Sequence, residues 1–132
     1  MRLDGKVSLI TGGAQGIGKS VAKVFAHEGA TVVIADVQDE KGQAVAKSLD
    51  GRGTYIHTDL SKDNDIQEMI SATVEKYGVL DVFVNNAAPS RHPDHAHNDL
   101  VADWDATMDI LLRAYLVGAK CAYAQMKETG GG

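Results

Sequence analysis

The chain has 132 residues, 44% hydrophobic and 23% charged, the composition of one ordinary globular domain able to bury roughly two-thirds of its unfolded surface. Its net charge of −5 excludes a sequence-independent affinity for nucleic acid or an anionic membrane surface. Cys121 is the only cysteine, which excludes an intrachain disulfide and points to a reducing compartment. The charged opening Met1-Arg2-Leu3-Asp4-Gly5-Lys6 leads into an apolar run too short for a signal peptide, and no stretch approaches the ~20 apolar residues of a membrane span. No membrane contact and a cytoplasmic location are expected.

Val7, Leu9 and Ile10 predict a strand, ended by a turn at Thr11-Gly12-Gly13. Ile17 then opens a helix whose apolar positions, Ile17, Val21, Val24 and Phe25, recur at helical spacing. A glycine turn between a buried strand and a helix lets backbone approach a pyrophosphate, whose charge then rests on free N–H groups at the positive helix end. Gly12 permits the sharp exit, Gly16 clears the phosphate path, and Gly18 lets helix and strand pack closely. The spacing Gly12-x-x-x-Gly16-x-Gly18 departs from the standard Gly-x-Gly-x-x-Gly, and such turns also serve merely as turns.

Gly29 stops the first helix, and residues 31–35 form a continuous run of the kind buried on both faces of a parallel sheet. The run ends at Asp36, about 20 residues past the glycine turn, where a carboxylate accepts hydrogen bonds from an adenosine ribose. The alternative is that Asp36 simply starts a loop. Its charge would repel a 2′-phosphate, and neither Gln15 nor Val37 offers a base in compensation, so NAD is favoured over NADP.

Asp39 can cap a second helix running to about Leu49, with Val45, Ala46 and Leu49 facing inward. Gly51-Arg52-Gly53 breaks it, and residues 54–58 form a short strand that ends at Asp59-Leu60. Ser61 is the expected N-cap of a third helix with Ile66, Met69, Ile70, Thr73, Val74 and Tyr77 on one face and Gly78 as terminator. Residues 80–84 form the fourth strand, followed by Asn85-Asn86-Ala87-Ala88. Alternating strands and helices with short connections give the fold class, α/β: a Rossmann-type doubly wound parallel sheet of about four strand–helix units in one domain. Ligands bind at the carboxyl ends of such strands, where Asp36, Asp59, Asn86 and the glycine turn converge.

His92, His95 and His97 cluster in a polar loop; three imidazoles can bind zinc, but the spacing fits no helix face or finger, so no metal site is expected. Asp103 can cap a long helix from residue 104 to about 128, with a core stripe of Trp104, Met108, Leu111, Leu112, Tyr115, Ala119, Ala122 and Met126. Asp109 and Arg113 can pair on its wet side, and Ile110, Val117 and Cys121 lie off the stripe on a second apolar face. Cys121 reads as a small apolar residue, with no histidine near it in sequence to activate it.

With these elements in place the chain resembles the short-chain dehydrogenase/reductase family, from its first residue to its last. The motifs that carry the resemblance are Thr11-Gly12-Gly13-Ala14-Gln15-Gly16-Ile17-Gly18, Asp36, Asp59-Leu60 and Asn85-Asn86-Ala87. Leu3-Asp4-Gly5-Lys6-Val7 and Trp104-Asp105-x-x-Met108 add to it. The resemblance implies that Gly12, Gln15, Gly16, Ile17 and Gly18 line a pyrophosphate and that Asp36 and Val37 lie at the adenosine ribose. It implies Asp59 and Leu60 beside the adenine, and Asn86, Ala87 and Ala88 beside the nicotinamide ribose. It also implies that the last helix joins a subunit interface, so a homo-oligomer is expected.

Three departures bear on activity. Ala88 replaces a glycine, and Leu111 stands where the family has the asparagine of its proton relay. Members are also about twice this length, and their catalytic serine and Tyr-x-x-x-Lys belong to a part beyond these residues. Tyr123 and Lys127 share the bare spacing but precede any fifth strand, so no residue is assigned a catalytic role. The resemblance implies hydride transfer between nicotinamide and an alcohol or ketone, with substrate engaged only if the other half is supplied. The chain by itself is expected to bind NAD without turnover; the alternative is a non-catalytic NAD-binding or partner-binding module. The fourth strand is expected to form a sheet edge, through which the isolated chain dimerises or aggregates.

Overall fold

The computed structural model describes residues 1–89, 100–130 and 132. Val7–Thr11 (β1), Thr31–Asp36 (β2), Gly53–His57 (β3) and Val82–Val84 (β4) pair in parallel, in the order β3-β2-β1-β4. Parallel neighbours need crossovers, and Gly16–His27 (α1), Asp39–Lys47 (α2) and Asp63–Tyr77 (α3) supply them. After residue 100 come Leu100–Met108 (α4), a π-helical turn at Asp109–Arg113, and Ala114–Thr129 (α5). Among the described residues no helix is long and apolar enough to cross a membrane.

The alternation of side chains along a strand divides the interior into two layers. Ile10, Val32 and Ile34 face Ala22 of α1 and Val45, Ala46 and Leu49 at α2. Leu9, Val33 and Ala35 face the opposite way, onto Ile66, Met69 and Ile70 of α3 and Ala114 and Ala122 of α5. Every residue of β1 is buried, including Ser8 and Thr11, whose hydroxyls donate to the Thr31 and Val84 carbonyls. The doubly wound α/β sheet expected from the sequence is thus the observed fold, with β1 central and β4 beside it at one edge.

Several local expectations are corrected. β3 starts one residue early, because Gly53 pairs with Val32; a Cβ there would collide with the Ala46 carbonyl oxygen. Gln38, not Asp39, precedes α2, and Asp39 instead takes hydrogen bonds from Tyr55 and His57. Lys62 replaces Ser61 before α3, since the Ser61 hydroxyl turns back to Asp59. On α1 the inward residues are Gly18 and Ala22, while Ile17 and Val24 are exposed. β4 is shorter than residues 80–84, although Leu80 is fully buried in the core.

The largest correction concerns the last helix. The helix begins at Leu100, so Asp103 lies within its first turn instead of capping it. The π-helical turn then inserts an extra residue and rotates everything after it by about 100°. After the turn, Ala119 of the expected stripe is exposed, and Ala114, Gly118 and Ala122 are the buried positions of α5; Leu111 and Leu112 within the turn and Trp104 before it are exposed as well. Val117 and Cys121, expected off the stripe, pack against the core. Arg113 pairs with Asp63 at the start of α3.

Asp81 fixes the start of β4 against β1. Its carboxylate accepts from the Lys6 ammonium at 2.8 Å and from the Val7 N–H at 2.9 Å. Burial pushes this carboxyl up, but the two donors outweigh it and its pKa lies below the ordinary value. A depressed folded-state pKa contributes stability above the unfolded value and loses it as pH falls through the folded one. The gap in urea midpoint between the native chain and Asp81→Asn is therefore expected to be widest near neutrality and to close below about pH 4. A gap unchanged across that range would contradict this role.

Candidate functional site

At the carboxyl ends of the strands lies a cavity of about 770 Å³. One wall is the glycine turn, with Gly12, Gln15, Gly16 and Ile17; a second is Ala35, Asp36, Val37 and Gln38 at the end of β2. Thr58, Asp59 and Leu60 follow β3, Asn86, Ala87, Ala88 and Pro89 follow β4, and Ile110 reaches in from the π-helical turn. Of the candidates picked from the sequence, only Gly18 is absent from this lining. Gly18 packs instead: a Cβ would collide with the Gly12 carbonyl oxygen and stand 2.5 Å from Asn86 Nδ2. Two smaller clefts, of about 450 and 370 Å³, hold none of these candidates.

The turn is shaped by its glycines at specific points. Gly12 has φ +67°, and a Cβ there would lie 2.7 Å from the Ala87 Cα, so this glycine brings the ends of β1 and β4 together. Gly16 has φ +56° and nothing within 4 Å of an added Cβ, so it leaves open space on the cavity side. Gln15 makes no side-chain cap to α1, and no acidic residue sits in that helix's first turn. The positive end of the α1 macrodipole is therefore uncompensated by side chains at the cavity wall.

Buried Thr11 holds the framework. Its Oγ1 accepts from the Asn86 N–H at 3.0 Å and the Ala87 N–H at 3.2 Å and donates to the Val84 carbonyl at 3.3 Å. Asn86 answers with its Nδ2, which donates to the Thr11 and Gly12 carbonyls at 3.0 and 3.3 Å. Tyr115 braces the same segment from α5, its hydroxyl donating to the Ala87 carbonyl at 2.9 Å, and burial raises its phenol pKa.

Asp36 is 8% exposed, and each of its carboxylate oxygens accepts a peptide N–H, from Ala14 and from Gln38, both at 3.0 Å. This ties the glycine turn to the end of β2. Asp59 accepts from the Ser61 hydroxyl and N–H and faces the Lys62 ammonium. The Ser61 hydroxyl bond leads the effects that hold its carboxyl below the usual range, against the opposing pull of burial.

Ala35, Gln38, Thr58, Pro89 and Ile110 are cavity residues that the sequence candidates do not include. The first four adjoin candidates in sequence, so proximity could signal them; Ile110 is delivered by the π-helical turn, which no periodicity announces. One charge also escapes the sequence reading: Lys41 Nζ lies 2.7 Å from Gln38 Oε1 and 3.2 Å from Gln15 Oε1, at the cavity rim. Gln15 and Val37 themselves carry no base, as expected from the sequence; the ammonium is held by the Gln15 and Gln38 amide oxygens and makes no ion pair with Asp36 among the described residues. Tyr123 is exposed on α5 and does not line the cavity. His92, His95 and His97 lie outside the described residues. Among the described residues no group of His, Cys, Asp and Glu is arranged to hold a metal ion.

A family model described as short chain dehydrogenase matches residues 6–132. Tropinone reductase-like 1 of Erythroxylum coca is 43% identical over 130 residues, which cover 96% of this chain and 48% of that protein. Short-chain dehydrogenase reductase 3b of Arabidopsis thaliana is 43% identical over 131 residues, covering 98% of this chain and 51% of its own length. The crystal structure of a 3-ketoacyl-(acyl-carrier-protein) reductase from Brucella melitensis, complexed with NADH, superposes with a TM-score of 0.88 at 32% identity. It matches 97% of this chain and 52% of that one. The chain spans about half the length of the relatives it matches.

Replacing Thr11 by Val removes the one acceptor shared by the Asn86 and Ala87 N–H groups. Thr11→Val is expected to lower stability in urea unfolding by about 1–3 kcal/mol, with Thr11→Ser keeping most of it. A loss under about 0.5 kcal/mol would show that the segment is held by other interactions.

Proposed function

The chain belongs to the short-chain dehydrogenase family, and on that premise we propose that it is the dinucleotide-binding half of an NAD-dependent oxidoreductase. The observation that carries this reading is the meeting of the glycine turn, Asp36, Asp59-Leu60 and Asn86-Ala87-Ala88 on one cavity. The cavity fits the group: Gly16 leaves open the space a side chain would fill, and the start of α1 has no side-chain cap to compete for its N–H groups. The NADH carried by the reductase structure of similar fold agrees with this.

In this reading the peptide N–H groups at Gly16 and Ile17 hold the diphosphate against the positive end of α1. Asp36 keeps lone pairs free beyond its two peptide partners and accepts from the adenosine ribose hydroxyls, which favours NAD. Val37 and Leu60 give apolar flanks for the adenine beside Asp59, and Asn86, Ala87 and Ala88 border the nicotinamide ribose. Bound nicotinamide supplies a hydride acceptor, or in reduced form a donor, for an alcohol–ketone pair.

Among the described residues of the cavity none is positioned to pass the accompanying proton, and a missing acid–base group costs about 10² to 10⁴ in rate. The 132 residues therefore bind the dinucleotide without turnover, and an alcohol or ketone is engaged when a complementary half is present. The exposed Leu112 and Leu116 of the last helical segments and the edge strand β4 support self-association as a homo-oligomer, and the single, free Cys121 supports a cytoplasmic location.

Equilibrium titration of the purified chain with NADH is expected to saturate. Gly16→Val puts a branched side chain at a positive φ and into the open space, and should weaken binding more than about tenfold while the chain stays folded by circular dichroism. Equal affinity in both proteins, or no saturation in the native chain, would overturn the assignment.

A further inference from the structure

Asp36 and Lys41 are joined through a single amide. Gln38 Nε2 lies 3.4 Å from Asp36 Oδ1, and Gln38 Oε1 accepts from Lys41 Nζ at 2.7 Å. Lys41 Nζ also donates to Gln15 Oε1 at 3.2 Å, so the ammonium spans the rim between the glycine turn and the end of β2. Its hydrogen-bond partners among the described residues are these two neutral amide oxygens, which leave its charge unpaired and one of its three donors unused. The location is unusual for a cation. Lys41 stands in the first turn of α2, where the helix dipole disfavours positive charge and where Gln38 supplies no side-chain cap. Asp36, meanwhile, directs both carboxylate oxygens at peptide N–H groups, which offset part of its own charge.

We infer that Lys41 is a specificity-determining residue of the dinucleotide site, opposing Asp36: its ammonium receives the 2′-phosphate of an NADP-type dinucleotide. This rests on the dinucleotide reading above and refines it. Asp36 makes the site prefer NAD, and Lys41 limits that preference so that NADPH is also bound. Gln15 and Gln38 hold the ammonium in readiness, and both amides can release it without leaving a buried charge, since Lys41 is exposed.

Calorimetric titration of the full chain with NADH and with NADPH, in the native protein, Lys41→Gln and Lys41→Arg, tests this. Lys41→Gln is expected to raise the NADPH dissociation constant about tenfold and that of NADH less than about twofold, the scale of one charge-assisted hydrogen bond to phosphate. Lys41→Arg should keep NADPH affinity, and NADPH binding by the native chain should weaken more steeply with salt than that of Lys41→Gln. An equal loss for both dinucleotides would mean that Lys41 only braces Gln15 and Gln38, and would overturn the inference. No change for either, in a chain that binds NADH, would overturn the inference alone. Failure of the native chain to bind either one would overturn the dinucleotide reading and this inference with it.

Discussion

The end of β1 is the constraint on which the site depends. A parallel strand that stops at a tight turn leaves peptide groups without ladder partners, and in a buried position each needs another one. Here the Gly12 N–H goes to the Ala35 carbonyl, the Thr11 and Gly12 carbonyls take the Asn86 amide, and the Thr11 hydroxyl takes the Asn86 and Ala87 N–H groups. One short segment thus fastens the exits of β2 and β4 to the glycine turn. Gly12 and Gly18 serve the same closeness from the other side, since a Cβ at either would strike backbone.

The polar groups at the cavity divide into those facing the frame and those facing the cavity. Asn86 and Thr11 direct their hydrogen bonds at backbone, and Asp36 commits part of its capacity to the Ala14 and Gln38 N–H groups. What is left toward the cavity is the start of α1, the remaining lone pairs of Asp36, the half-open wall from Val37 to Leu60, and Lys41 at the rim. Such a surface can bind and orient a charged, elongated molecule. Among the described residues it has no group set up to exchange a proton with the substrate oxygen while hydride passes between nicotinamide and carbon, which is why the proposed role separates binding from turnover.

Much of this is legible in the sequence, for physical reasons. The buried strand β2 shows as a β-branched run over residues 31–34, and α3 keeps a clean stripe of Ile66, Met69, Ile70 and Thr73 because nothing interrupts its period. The ligand edge follows from parallel connectivity, which puts Asp36, Asp59 and Asn86 on one rim before any side-chain geometry is known. The last helix defeats a periodic reading because a single π-helical turn resets the phase: within it Leu112 faces outward and Ile110 lines the cavity. Lys41 is hidden for another reason. It is a surface residue of α2 in sequence, and its meaning comes only from the Gln15 and Gln38 oxygens that two different turns bring to it.

The central claim is that these residues form the site before any ligand arrives. Amide hydrogen exchange on the purified chain, with and without NADH, tests it most directly. The account predicts that the Ala14, Gln38, Asn86 and Ala87 amides are already slow in the free protein, held by Asp36 and Thr11, and that NADH further slows Gly16, Ile17 and Gly18. Fast exchange at the first four amides in the free chain, or no change at the start of α1 with saturating NADH, would contradict it.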